Sequence, residues 1–346
     1  MDQSNYILSL TTEALKAENI GAGKCFLCGR EPSSGVGEHV IPKWLQRRHA
    51  LSNEQLTLLN GTLFFYRGLT IPACTFCNNS VLKSTEDFVS RMVPKDIEDW
   101  TPKHSFEVGR WMSKILLGIL IKESSLSLNQ SQPDQGRIVP LNYFDELLLM
   151  HLLIQSWRKS LTFNCLHSIH PFTLYVYQVD EDPEYGDFDI STNVHGKSIC
   201  VRFGGLGFAF VADGGLQHHS GDLGPFKLAF KKVHPIQFSE IAARIHYKAV
   251  LRDATHSYLQ HEDHESFTFT QTSVSPYSNT ILQDGAMQVF KPWNDRELTQ
   301  ALLAYGVPGA EQLIDASGSA VFTRLVDENG TFLQLPTAVS RGGQGI

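Results

Sequence analysis

The chain has 346 residues, 42% hydrophobic and 19% charged, with 36 acidic residues against 29 lysines and arginines for a net charge of −7. This composition excludes a disordered or low-complexity chain, and the length points to two domains or one large domain with an appended module. The negative total excludes a molecule coated in basic charge, although nucleic-acid binding needs only a local basic face.

The first residues, Met1-Asp2-Gln3-Ser4, carry no cationic stretch, and Glu13 and Lys16 interrupt the apolar residues that follow, so no signal peptide is expected. Residues 8–18 read as a short helix ended by Gly21-Ala22-Gly23. Cys25-Phe26-Leu27-Cys28 follows, then a Gly/Ser/Pro-rich loop over 29–37, the apolar run Val40-Ile41-Pro42, and a short basic helical turn over 43–49. Residues 56–65 contain strand material. Cys74-Thr75-Phe76-Cys77 opens a helix reaching Met92, and Pro94 and Pro102 bracket a domain boundary near residue 100. The expected division is therefore 1–100 and 101–346, both of α+β class.

Beyond the boundary, residues 106–122 place Trp111, Ile115 and Ile119 on one helical face, and 143–156 is apolar almost all round, as in a buried helix. Its core, 147–154, is too short to span a bilayer. Residues 172–179 alternate like a strand, and 199–203 and 208–211 form a hairpin around Gly204-Gly205-Leu206-Gly207. A short strand is expected at 226–230, a helix capped by Ser239 running to about Ser257, a strand at 266–273 and a helix at 297–305. Residues 321–326 and 331–335 flank the hairpin turn Glu328-Asn329-Gly330, and 341–346 are expected to fray.

Six cysteines without a secretion signal suit reduced thiols or metal ligands rather than a disulfide framework, and a cytoplasmic location follows. Two Cys-x-x-Cys pairs, Cys25/Cys28 and Cys74/Cys77, provide four soft thiolate ligands for a tetrahedral structural zinc ion. Forty-five residues separate Cys28 from Cys74, far more than the ~15–20 of a simple zinc ribbon, so something folds between the knuckles. That segment holds Glu38-His39-Val40-Ile41-Pro42, and Cys77 is followed by Asn78-Asn79.

In this order, the two knuckles, the Glu-His pair before an aliphatic-x-Pro stretch and the Asn after the last cysteine resemble the four-cysteine HNH endonucleases, also called the ββα-metal or His-Me finger family. The resemblance covers residues 20–95. It implies a metal-dependent phosphodiesterase in which His39 is the general base and Glu38 and Asn78 hold a catalytic Mg²⁺ or Mn²⁺. The chemistry agrees: a neutral imidazole takes a proton from water near neutral pH, and carboxylate and amide oxygens suit a hard cation. Glu38 and His39 are adjacent, so both serve one centre only if the strand ends or twists there. Glu stands where Asp is commoner, and the last position is Asn78 rather than His. The family's middle Asn has no single counterpart, Asn60 and Asn53 being the candidates. Lys43, Arg47, Arg48 and Lys83 are the expected phosphate contacts, although Lys83 and Glu86 are also spaced to pair with each other.

Other signals carry less. His256 and the segment His261-Glu262-Asp263-His264-Glu265 have the wrong spacing for a zincin helix and read as a solvated loop, as does His218-His219. The glycines at 204, 205 and 207 lack the Lys-Ser/Thr of a phosphate-binding loop, no Gly-x-Ser-x-Gly elbow occurs, and Cys165 and Cys200 read as core residues. The expectation is an endonuclease acting on nucleic acid, DNA more than RNA, without membrane contact. By analogy with HNH domains fused to large partners it would be an anti-phage or restriction effector, as a homo-oligomer or with a defence-system partner. Two rivals stand beside it: a non-catalytic zinc module that binds nucleic acid or protein, and an enzyme whose active site lies in 104–346.

Overall fold

The computed structural model describes residues 13–33, 35, 37–92, 97–157, 160–166, 168–219, 232–263, 266–277, 288–315 and 321–337. They divide into two compact units. The first comprises residues up to Met92 with Lys103–Phe163 and Gln260–Phe269; the second comprises 97–102, Asn164–Leu259 and the residues from Thr270 onward. This differs from a single cut near residue 100, because the helix that follows belongs with the first unit. The architecture is mixed α and β, with four small sheets. Among the described residues no helix is long and apolar enough to cross a membrane.

In the first unit, α1 (Ala17–Gly21) precedes the first knuckle. β1 (Gly37–His39) leads through Val40-Ile41-Pro42 into α2 (Lys43–Arg48). β2 (Gln55–Thr57) and β3 (Leu63–Phe65) form a separate antiparallel hairpin. β4 (Thr70–Pro72) returns to pair with β1, placing Glu38 opposite Ile71 and His39 opposite Thr70. One π-helical turn, Cys77–Val81, then passes into α3 (Lys83–Met92). The antiparallel β1–β4 pair, with α2 and the β2–β3 hairpin inserted between its two strands, thus precedes the helix, and the cysteine pairs lie on either side of it.

α4 (Pro102–Ser124) is buried along most of its length, with Trp111 and Ile115 fully enclosed and Ile119 nearly so. Each such side chain contributes roughly 1.5–3 kcal/mol by leaving water. The expected buried helix at 143–156 is instead a 3-10 segment, Leu141–Leu147, followed by α5 (Leu148–Gln155). β5 (Ser160–Asn164) comes next.

The second unit is built on a five-stranded sheet of β6 (Thr173–Val179), β7 (Phe188–Asn193), β8 (Ser198–Phe203), β9 (Leu206–Val211) and, after the short α6 (Leu216–His219), β10 (Lys232–Val233). The order is β10-β6-β9-β8-β7, antiparallel except where β10 joins β6. β8 and β9 are the expected hairpin, and Gly204 and Gly205 turn it at φ 54° and 76°, left-handed values that glycine adopts without a Cβ clash. α7 (Pro235–Val250) lays Phe238, Ile241, Ile245 and Ala249 against Tyr175, Tyr177, Cys200 and Val211.

Several expected boundaries move. α7 is capped by His234, not Ser239: its ring accepts from the Ile236 N–H, and the Gln237 side chain accepts from the His234 N–H. Ser239 lies inside the helix, donating to the Pro235 carbonyl. α7 stops at Val250, and β11 (Ala254–Glu262) and β12 (Ser266–Pro276) follow as neighbours in a sheet with β5. His256 and His261 therefore lie on a strand rather than in a loop, and His218-His219 closes α6. α8 (Asp295–Ala304) is capped by Asn294. The Asn329-Gly330 turn forms, but its flanks make only the isolated bridge Val326–Phe332. The expected strand at 226–230, residues 8–12 of the first helix, His264-Glu265 and the 341–346 tail lie outside the described residues. Cys200 is buried and Cys165 only half-buried.

His246, on α7, is fully buried between two hydroxyls, with Nδ1 2.7 Å from Ser198 Oγ and Nε2 3.0 Å from Ser191 Oγ. Burial lowers its pKa from 6.5 to about 3. Between these values the unfolded chain binds a proton there that the folded chain does not, so stability falls as pH falls. The slope is about 1.4 kcal/mol per pH unit, or about 2 kcal/mol on acidifying from pH 6.5 to 5. Denaturant midpoints measured across this range should drop more steeply in the wild type than in His246→Asn; equal slopes would refute the assignment.

Candidate metal and nuclease site

The four cysteines come together. Their sulfurs all lie within 4.8 Å of one another, with Cys28 Sγ 3.7 Å from Cys74 Sγ. Bonds of 2.3 Å in a tetrahedron give sulfur–sulfur edges of about 3.8 Å, so the spacing suits zinc, whereas a disulfide needs about 2.05 Å. Hydrogen bonds from Cys28 and Cys77 hold the Cys25 thiol far below its ordinary pKa, and the same contacts push Cys28 up to about 12 and Cys77 higher. The donor set fits a structural zinc ion, and among the described residues it is the one convergent group of three or more His, Cys, Asp or Glu side chains.

Backbone turns shape the knuckles. The Gly29 N–H donates to the Cys25 carbonyl at 2.7 Å and the Cys25 N–H to the Arg30 carbonyl at 2.8 Å, with Gly29 at φ 69°. The first knuckle is also gripped from α5: His151 Nε2 lies 3.0 Å from the Phe26 carbonyl, and the Gln155 amide donates to the Leu27 carbonyl. His151 and Gln155, four apart on one helical face, are both buried. Two polar side chains on so apolar a helix demanded partners, which is the signal that sequence reading missed.

Glu38 is the buried middle residue of β1, while His39, the last residue of the strand, is half-buried on the other face. Glu38 lines a cavity of about 410 Å³ between α2 and the Cys77–Met92 segment, together with Asn78, Lys43, Arg47, Lys83 and Glu86. Asn78 Nδ2 donates to the Gly37 carbonyl at 3.4 Å, which sets its amide beside the Glu38 backbone and leaves Oδ1 for another partner. Five of the expected residues therefore share one cavity. His39 and Arg48 are not among its lining residues. Arg48 donates to the Ser90 carbonyl at 3.0 Å and stacks on Trp44.

The centre of this arrangement is Lys114 on α4, which is fully buried. Its ammonium bonds Glu38, Glu86 Oε1 at 2.7 Å and the His39 carbonyl at 2.9 Å, three acceptors for three donors. Glu86 thus pairs with Lys114 rather than Lys83. Burial raises the Glu38 pKa and Lys114 opposes it; burial alone would lower the Lys114 pKa, and the two carboxylates hold it up. One turn on, Gly118 lets α4 press against Val40, since a Cβ there would meet both Val40 methyls at 3.1 Å.

Burial, followed by the charges of Lys43 and Lys114, lowers the His39 pKa, and the Arg67 backbone near the ring opposes the shift. Arg67 in turn bonds the Asn53 side chain. Asn60 instead donates to the Ser127 carbonyl at 2.8 Å and accepts from the Thr62 N–H. Among the described residues no hydrogen bond joins either asparagine proposed for the middle position to His39.

Metal analysis should find one zinc per chain, lost together with the thermal transition of the first unit in Cys74→Ser or after strong chelation; a zinc-free protein of unchanged melting temperature would refute the metal assignment. Lys114→Met leaves two carboxylates without their cation and should cost about 3–5 kcal/mol. Adding Glu38→Gln and Glu86→Gln should restore part of this in denaturant titrations; a triple variant as unstable as the single would refute the charge account. Comparison with family models, with curated proteins and with solved structures returns no match to this chain.

Proposed function

We propose that the first unit is an HNH-type endonuclease that hydrolyses phosphodiester bonds of nucleic acid, DNA in preference to RNA, in a cytoplasmic defence setting. The observation that carries the reading is the meeting of Glu38 and Asn78 in one cavity that Lys43, Arg47 and Lys83 line together with Glu86 and Asp87, where the β1–β4 pair meets the following helix beside the four-cysteine cluster. Lys43, Arg47 and Lys83 on the rim supply the charge that attracts a phosphate backbone. The free Oδ1 of Asn78 and the Glu38 oxygen not given to Lys114 are hard donors, and a Mg²⁺ or Mn²⁺ held there would supply charge stabilisation at the scissile phosphate.

The chain's own residues provide the rest. Burial and the charges of Lys43 and Lys114 lower the His39 pKa, which favours the neutral ring with a free lone pair, the form a general base needs. Lys114 holds the His39 carbonyl and so fixes the strand end from which the ring projects.

A second reading, a zinc module that binds without cutting, draws support from two facts. His39 is absent from the cavity lining, and one Glu38 oxygen is already committed to Lys114. A paired assay of wild type and His39→Ala separates the readings, using plasmid, single-stranded DNA and RNA with Mg²⁺ or Mn²⁺. Cleavage should fall about 100-fold or more in the variant at equal zinc content and melting temperature. Equal cleavage by both would move the active site elsewhere, and binding without cleavage by wild type would favour the zinc module.

A further inference from the structure

A second, larger cleft of about 790 Å³ opens in the first unit, and nothing above assigns it. One wall is Gly37, Thr70 and Pro72, on the β1–β4 hairpin face opposite Glu38; another is the C-terminal turn of α4. No aspartate or glutamate lines it, although acidic residues outnumber basic ones in the chain. Two cations do. Lys122 is half-buried with its ammonium 4.5 Å from the Phe64 ring centroid, and burial lowers its pKa without an offsetting carboxylate. Arg137 donates one N–H to the Ser124 carbonyl at 2.6 Å, leaving the remainder of its guanidinium uncommitted.

The opposite lip adds a neutral donor. Ser33 Oγ accepts from both the N–H and the hydroxyl of Thr75, at 3.0 and 2.8 Å. With both lone pairs engaged, its own proton is left to give. Thr75 lies between Cys74 and Cys77, so the metal cluster fixes this donor. Gly35, at φ 67°, lines the cleft with nothing within 4 Å of where a Cβ would stand, so backbone is open to close approach there.

Two cations, a hydroxyl donor, open glycine backbone and no carboxylate make a site for an anion with several acceptor oxygens, and the volume admits more than a bare ion. We propose that this cleft binds the phosphate of a nucleotide, either free or within a strand, through Lys122, Arg137 and Ser33. The proposal does not require the Glu38 cavity to be catalytic.

Calorimetric titration of the full chain without added divalent cation tests it, using inorganic phosphate, ATP and a six-nucleotide single-stranded DNA as probes. Wild type should bind ATP or the six-mer, and Lys122→Gln with Arg137→Gln should weaken that binding at least tenfold at unchanged zinc content. Lys103→Ala, an exposed lysine at the other end of α4 that lines neither cavity, should leave it unchanged. Tight ATP binding identifies a free nucleotide as the ligand, and binding of the six-mer alone identifies a strand. Arg137 also caps α4, so Lys122→Gln, which keeps most of the stem over Phe64, serves if the double variant loses melting temperature. Absence of binding by wild type, equal affinity in wild type and the Lys122 variant, or an equal loss of affinity in Lys103→Ala would overturn the proposal.

Discussion

An ammonium group in a protein interior has to find acceptors for all its protons, and Lys114 finds them on two other elements. Glu38 and the His39 carbonyl come from β1, Glu86 from α3, and Lys114 itself from α4. The orientation of the hairpin against both helices follows from satisfying that one charge. Apolar packing alone would let β1 slide or tilt at modest cost. A buried charge with three directional bonds does not, because any slip leaves a carboxylate or ammonium without its counterpart.

The cysteine cluster performs a complementary task. Four sulfurs drawn from both sides of the β1–β4 hairpin close a loop of some fifty residues, and α5 reinforces the first knuckle through His151 and Gln155. The two devices divide the work. The cluster fixes where the hairpin begins and ends, and Lys114 fixes which way its faces look. Asn78 follows directly on the last cysteine, and its amide reaches Gly37, so the cavity between α2 and α3 inherits its shape from both.

The legible part of this chain was local. The two knuckles, the β8–β9 hairpin and the α4 and α8 helices are written in spacings of a few residues, and those spacings persist in the folded chain. The convergence of Glu38, Asn78, Lys43, Arg47 and Lys83 on one cavity was legible through motif order. What escaped were contacts that no motif spells out: Lys114 with Glu38 and Glu86, and His151 and Gln155 with the knuckle. A lysine inside an apolar helix announces that a partner exists without saying which, and Lys83 was the nearer but wrong choice for Glu86. The α7 start was missed because a histidine ring followed by proline caps the helix, where a serine five residues on looked the more ordinary cap. The boundary near residue 100 was read from prolines, whereas the units are decided by which side chains α4 buries.

The grip of α5 on the first knuckle has a consequence for biosynthesis. The Phe26 and Leu27 carbonyls are among the first groups of the described chain to leave the ribosome, and their partners, His151 and Gln155, are made more than 120 positions later. Until His151 and Gln155 are made, the Phe26 and Leu27 carbonyls lack the donors they have in the folded chain, even once the cysteines of both pairs are present. The buried hydrogen bonds of the first knuckle are therefore complete only once α5 has been made, so a chain shortened before residue 151 lacks them.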